Sequence, residues 1–266
     1  MHMKTILPFI LLIILALPAA AQVSSDRIGF ISSSEVVADK GFQLETGYMN
    51  SSLGYTSPYY ATSGNVLFRK GASQIHEFRV GYYYGASKMK ELHHYEWFSL
   101  GVKLKVADYE KLKISSIGTW GFDLRTLGSS YGPTYYLELK VPAEYHFTEN
   151  LSLQTELRQS VGKVQADVES VQFAGVPKQS DINIAIKQKI SPNVYILPGV
   201  LNQFILSKRG NNGEKPEWSE LLYASIAAEA RVGKFMAFDL GAILPIYTGK
   251  DQVDPSDGFA IKGGFT

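Results

Sequence analysis

Apolar and polar residues alternate with period two along most of the chain beyond residue 40. Phe42, Leu44, Thr46 and Tyr48 alternate with Gln43, Glu45 and Gly47, and Phe98, Leu100, Val102 and Leu104 alternate with Ser99, Gly101, Lys103 and Lys105. Successive side chains of a strand point to opposite faces, so each such segment predicts a strand with one apolar and one polar face. The same alternation marks 75–84, 136–147, 151–158, 182–190 and 222–232. Weaker versions occupy 65–70, 114–125, 194–206, 235–246 and 258–266, which brings the predicted strands to twelve. In 194–206, Pro198 sits among two competing phases, so its facing stays open. No apolar repeat of period 3.6 is long enough for a helix.

The connections follow a second pattern. Those after odd-numbered strands (50–64, 86–95, 127–133, 160–180, 207–219 and 247–257) are mostly long and rich in Ser, Tyr, Gly and Pro. Those after even-numbered strands (71–74, 107–111, 148–150, 191–192 and 233–234) are short. Alternating long loops and short turns is the signature of an all-β, antiparallel transmembrane barrel. A soluble sandwich also has alternating strands, but gains nothing from segregating its loops.

The polar face sharpens that choice. It carries Glu45, Arg69, Glu77 and Arg79 on the first three strands, and Lys103, Lys105, Asp123 and Arg125 on the next two. Glu138, Lys140, Glu144, Glu156 and Arg158 follow on strands six and seven. Lys187, Lys189, Glu229, Arg231, Asp239 and Lys262 complete it. A charge on a lipid-facing wall costs about 2–4 kcal/mol at the bilayer midplane. These side chains are therefore expected to line the lumen, with Leu100, Val102, Leu139, Val141, Leu153 and Ile184 facing lipid. Eleven of the set are basic and eight acidic, which argues against a strong anion or cation filter. Two roles stand for them: filling the lumen by mutual pairing, and lining a solute path.

Residues before the strands read differently. Lys4, the apolar run Ile6–Leu17 and Pro18-Ala19-Ala20-Ala21 have the form of a signal peptide spanning 1–21, cleaved before Gln22. The run of about 12 apolar residues is short for a spanning helix, which takes about 20. Residues 22–40 are polar, Ser-rich and aperiodic. They read either as an exported tail or as a periplasmic plug, with Asp26 and Arg27 meeting wall charges.

Composition removes several function classes. Lys plus Arg is 26 against 25 Asp plus Glu, so net charge gives no support to nucleic-acid binding. Cys is absent, which excludes disulfides, thiolate catalysis and Cys-ligated metals. Mean hydropathy is −0.05, too low for a helical membrane bundle. The chain holds 16 Tyr and 14 Phe, as aromatic girdles require. Tyr55, Tyr59, Tyr60, Tyr131 and Trp218 are expected at the extracellular rim, and Tyr109, Phe147, Tyr195 and Phe235 at the periplasmic one. His93-His94, between Glu91 and Glu96, is placed in an extracellular loop, where solvation is the plainer reading than a metal or hydrolytic site. His146 beside Glu144 reads as an interior histidine. No Gly-x-Ser-x-Gly, His-x-x-x-His or Gly-x-x-x-x-Gly-Lys occurs. The expectation is a non-enzyme without cofactor or metal.

Several stretches resemble a family of outer-membrane barrels named for transport in the meta-pathway of phenol degradation. They are Asp26-Arg27, Ser32–Val36 and Lys40–Tyr48 at the opening, then Leu67–Gly71, Glu77–Gly81 and Leu100–Lys103. Phe147–Leu153 and Ala237–Gly241 follow in the same order. The chain departs at Ile28, where that opening has Pro, and at its end, Phe265-Thr266, where such barrels end on an aromatic. The resemblance implies an outer-membrane channel or transporter for small, apolar or aromatic molecules. Its implied partners are outer-membrane lipid, the barrel assembly machinery and a solute. Two alternatives stand beside it: a closed structural or adhesion barrel acting through its loops, and an outer-membrane enzyme near His93-His94.

Overall fold

The computed structural model describes residues 31–53, 59–88, 92–124, 135–163, 178–207, 217–233, 236–248 and 258–266. The strands are β1 (Phe42–Leu53), β2 (Tyr59–Gly71), β3 (His76–Lys88), β4 (Leu92–Asp108), β5 (Leu112–Asp123) and β6 (Tyr135–Thr148). They continue as β7 (Leu151–Lys163), β8 (Lys178–Ser191), β9 (Val194–Ser207), β10 (Glu217–Val232), β11 (Met236–Thr248) and β12 (Gly258–Phe265). Each pairs antiparallel with its neighbour in sequence, and β1 pairs with β12, so the sheet closes into a barrel. Closure leaves no edge to be satisfied by lipid, the condition a membrane places on any sheet.

The period-two phase comes out as the sequence predicts. Leu100, Val102, Leu139 and Ile184 are exposed on the outer wall, and Val141 and Leu153 are half-buried there. Glu77, Lys103 and Glu156 are buried inside. Isolated large apolar groups on a water-soluble surface are ordinary, but a continuous band is not. Here the band runs round the barrel, through Phe68, Val80, Trp120, Leu157, Val200, Ile226, Leu240 and Ile261. On β9 the open phase resolves with Leu197 wholly buried inward and Val200 outward. Buried Leu67 and Ile117 show that the inner wall is not uniformly polar.

The strands run further toward the long-loop rim than the alternation suggested. Tyr59 and Tyr60 lie in β2, His93 and His94 in β4, Ser160 in β7 and Trp218 in β10 rather than in loops. The connections after β1 and β3 are consequently short, so the long-loop rule fails for the β1–β2 and β3–β4 hairpins. Polar strand ends at a rim look like loop in sequence because ladder hydrogen bonds, not apolar alternation, hold them. Tyr55, Glu91, Arg125, Tyr131, Phe235, Asp26, Arg27 and the whole of 1–30 lie outside the described residues.

Candidate functional site: a lumen divided by the N-terminal segment

Residues 31–40 enter the lumen from the short-turn rim. Lys40 adopts a positive φ of 62°, and the Gly41 amide closes the bend by donating to the Ala38 carbonyl at 2.9 Å. Lys70 Nζ donates to the Lys40 carbonyl at 2.7 Å. A Cβ on Gly71 would overlap the Ala38 carbonyl oxygen, so glycine is what lets the segment lie against β2. From there it crosses the barrel. The Val37 amide donates to Glu77 on β3 and the Ser32 amide to Glu156 on β7, each at 2.8 Å. Ile31, Ser32, Ser34 and Val37 are buried. An aperiodic strand-less segment can be buried only if its amides find partners. Inward carboxylates provide them.

Arg69 is the hub of that crossing. Its guanidinium holds Glu77 through two bonds, Nε at 2.7 Å and Nη2 at 2.8 Å, and Glu45 through Nη1 at 2.8 Å. Nη2 also donates to the Glu35 carbonyl at 3.2 Å. Glu45 further accepts from Gln43 at 3.1 Å. Arg69 faces Gln43 and Arg79 directly in register, and reaches both carboxylates on the diagonal. All three charged groups are at 0% exposure, so they are held by charge-assisted bonds rather than by water. Lys103, opposite Glu77 on β4, is equally buried.

On the short-turn side of this crossing lies a cavity of about 180 Å³. Glu35 salt-bridges Lys113 there at 2.9 Å. Burial raises the Glu35 carboxyl, but the hydrogen bond from Lys113 and the charges of Lys113, Lys187 and Arg231 outweigh it and hold it below its ordinary 4.5. Glu144 accepts from Ser152 at 2.7 Å and stands 3.9 Å from His146. Arg231 pairs with Glu229. Lys187 and Arg231 lie 5.0 and 4.8 Å from the Tyr195 ring, one on each count a cation–π contact. Tyr195 was expected in the aromatic girdle; it points inward instead, because β9 carries Leu197 and Tyr195 on one face.

On the other side lies a cavity of about 560 Å³, within the range of small-molecule sites. One wall is charged. Lys140 and Arg158 share Glu138, Lys140 at 3.1 Å, and Arg158 also reaches Asp181 at 3.3 Å. Glu156 and Asn183 complete that wall, and Arg79 of β3 also lines the cavity. The wall across from it, on β11, β12 and β1 with Leu201 of β9, carries Met49, Ile243, Pro245 and Ala260, with Asp239 and Lys262 among them. Tyr83 and Tyr223 stand between the two.

The inward set named from the alternation is thus brought into three groups: Arg69 with Glu45, Glu77 and Arg79; Glu138 with Lys140 and Arg158; Glu144, Lys187, Glu229 and Arg231 round the lower cavity. Sequence reasoning missed Glu35, Lys113 and Asp181. Asp181 shares the parity of Asn183, and one more step of the β8 alternation would have found it. His94 and Glu96 are exposed on the outer wall of β4, against Tyr84, away from both cavities.

No protein-family model matches the sequence, and no curated protein is similar to it in sequence. Among solved structures, the chain is similar to the NanC porin, over 84% of this chain and 98% of that one, with 11% identity and a TM-score of 0.54. It is similar to the translocator domain of the autotransporter NalP from Neisseria meningitidis, over 85% and 87%, with 12% identity and a TM-score of 0.54. These likenesses are of fold, and with the apolar outer band they give the chain's class: a closed twelve-stranded β-barrel of the outer-membrane type.

Proposed function

We propose that the protein is a channel of the bacterial outer membrane for small molecules with an apolar body, its short-turn rim in the periplasm, and that it is not an enzyme. The observation that carries this reading is the 560 Å³ cavity, charged on its β6–β8 wall and mixing apolar side chains with Asp239 and Lys262 on the other, inside a barrel with a lipid-facing exterior. A solute with an apolar body and one polar group fits both walls. The resemblance of the opening segment and first strands to the phenol meta-pathway family favours an aromatic solute. Residues 31–40 stand across the path and act as its periplasmic closure. Wild-type protein in planar bilayers should show small conductance, and removal of 31–38 should enlarge it. An absence of conductance in both would favour the second reading, a closed structural barrel, which the crossing segment also suits.

A further inference from the structure

Residues 31–40 are tied to the wall in two ways. One set of ties runs to their backbone. Glu77 and Glu156 accept from the amides of Val37 and Ser32, and Arg69 donates to the Glu35 carbonyl. The Glu35 side chain makes a tie of opposite polarity, in which the segment brings the carboxylate and the wall brings the cation, Lys113 of β5 at 2.9 Å. The Lys113 and Glu35 side chains stay 30% and 27% exposed, whereas Arg69 and Glu77 are at 0%. An ion pair in contact with water is near balance with its hydrated partners and can be exchanged; a dry one cannot.

Glu35 fills part of a larger basic site. Lys187 of β8 and Arg231 of β10 line the same cavity of about 180 Å³, and their charges act on the Glu35 carboxylate together with that of Lys113. The three cations come from three separate strands at the short-turn rim. Arg231 has Glu229 as its ion-pair partner. Lys187 lies 5.0 Å from the Tyr195 ring and has no carboxylate partner among the described residues. Glu144 stands opposite Lys113 in register, but it accepts from Ser152. Ile31 and Tyr195 add an apolar part to the lining. One tethered carboxylate thus occupies a cavity faced by three cations. A free carboxylate with a small apolar body brings the same charge.

We propose that the lower cavity is a binding site for a small organic carboxylate, which enters from the short-turn rim, takes the place of the Glu35 side chain against Lys113 and Lys187, and so loosens residues 31–40. This deepens the channel reading: it names the polar group of the solute and has the solute open its own closure. A ligand shifts such an equilibrium only by its differential affinity for the two states, so the effect is bounded by what the Glu35 tie contributes. For a partly exposed pair that bound is about five-fold.

The test needs no conductance. In detergent, the full chain should bind benzoate in equilibrium dialysis, and should bind benzamide, its uncharged counterpart, about ten-fold more weakly for want of a charge-assisted contact. Lys187→Gln should weaken benzoate by about as much. Glu35→Gln, which vacates the site, should tighten it about two- to five-fold, a gain that a misfolded barrel does not give. Ser34→Cys reports the segment, because Ser34 is buried, its hydroxyl has no hydrogen-bond partner among the described residues, and the chain has no Cys of its own. Saturating benzoate should speed maleimide labelling of that cysteine about two- to five-fold, while benzamide or an equal rise in chloride should not. Equal binding of benzoate and benzamide, or benzoate binding that neither Lys187→Gln nor Glu35→Gln changes, overturns the site. Unchanged labelling with benzoate bound overturns its link to the segment. In planar bilayers, benzoate on the short-turn side should raise conductance. Absence of conductance in every form overturns the channel reading, while binding and labelling still decide the site.

Discussion

On the short-turn side of Ser32 the lumen is occupied by residues 31–40 and a closely paired charge cluster; on the other side the same barrel leaves a cavity of about 560 Å³. Both halves use the same alternation and the same inward mixture of Arg, Lys, Glu and Asp. The difference lies in what the carboxylates hold. Glu77 and Glu156 spend acceptor capacity on the amides of Val37 and Ser32, so they bind a second layer of chain. Glu138 and Asp181 are taken up by Arg158 within the wall, so nothing is drawn into the space in front of them. Inward charge closes a barrel only where it has a chain to grip.

The largest break in that contrast is at Arg69. Arg69→Ala leaves Glu45 and Glu77 buried without their shared cation, which should cost about 3–5 kcal/mol. The readout is the temperature at which the detergent-solubilised barrel loses its heat-modifiable gel migration, and it should fall markedly. Arg158→Ala in the open half, where the guanidinium is about one-third exposed, should cost less by the same measure. Next comes deletion of 31–38. The barrel should still fold, and planar-bilayer conductance should rise several-fold as the lower half comes to resemble the upper.

Gly71→Ala makes a milder version of that opening. Its Cβ meets the Ala38 carbonyl, so the bend at 38–41 must shift and conductance should rise less than on deletion. The smallest effect is in pH. The Glu35 carboxyl is held below its ordinary 4.5, so its bridge to Lys113 is fully present above that value and is lost as pH falls through the depressed one. Conductance should therefore increase in acid, reversibly, and Glu35→Gln should show the higher level already at neutral pH, with the acid step gone. A wild-type channel whose conductance is flat down to the acid limit of folding would show that the segment is held without Glu35.

Much of the wall was legible in the sequence and little of what fills it. Lys103, Glu77 and Glu156 could be placed inward because one slip of register would have put every charge of their strands in lipid. Tyr195 was misplaced because an aromatic near a turn suits a girdle and a lumen equally, and only the phase of β9 chooses. His93 and His94 read as loop because their stretch has no apolar alternation, although β4 extends through it.

Period two is a local property, and the penalty for exposing charge to lipid acts on each strand alone. The sequence by itself therefore determined the strand number, the facing of the strands and the closed antiparallel barrel. Which charges meet depends on the stagger of neighbouring strands, which sets Arg69 diagonal to Glu45 and Glu77 rather than opposite them. The path of residues 31–40 has no repeat to announce it; it is fixed by the Gly71 contact and by amides seeking buried carboxylates. Those two features were decided only by the tertiary structure, because each arises between segments that no local pattern connects.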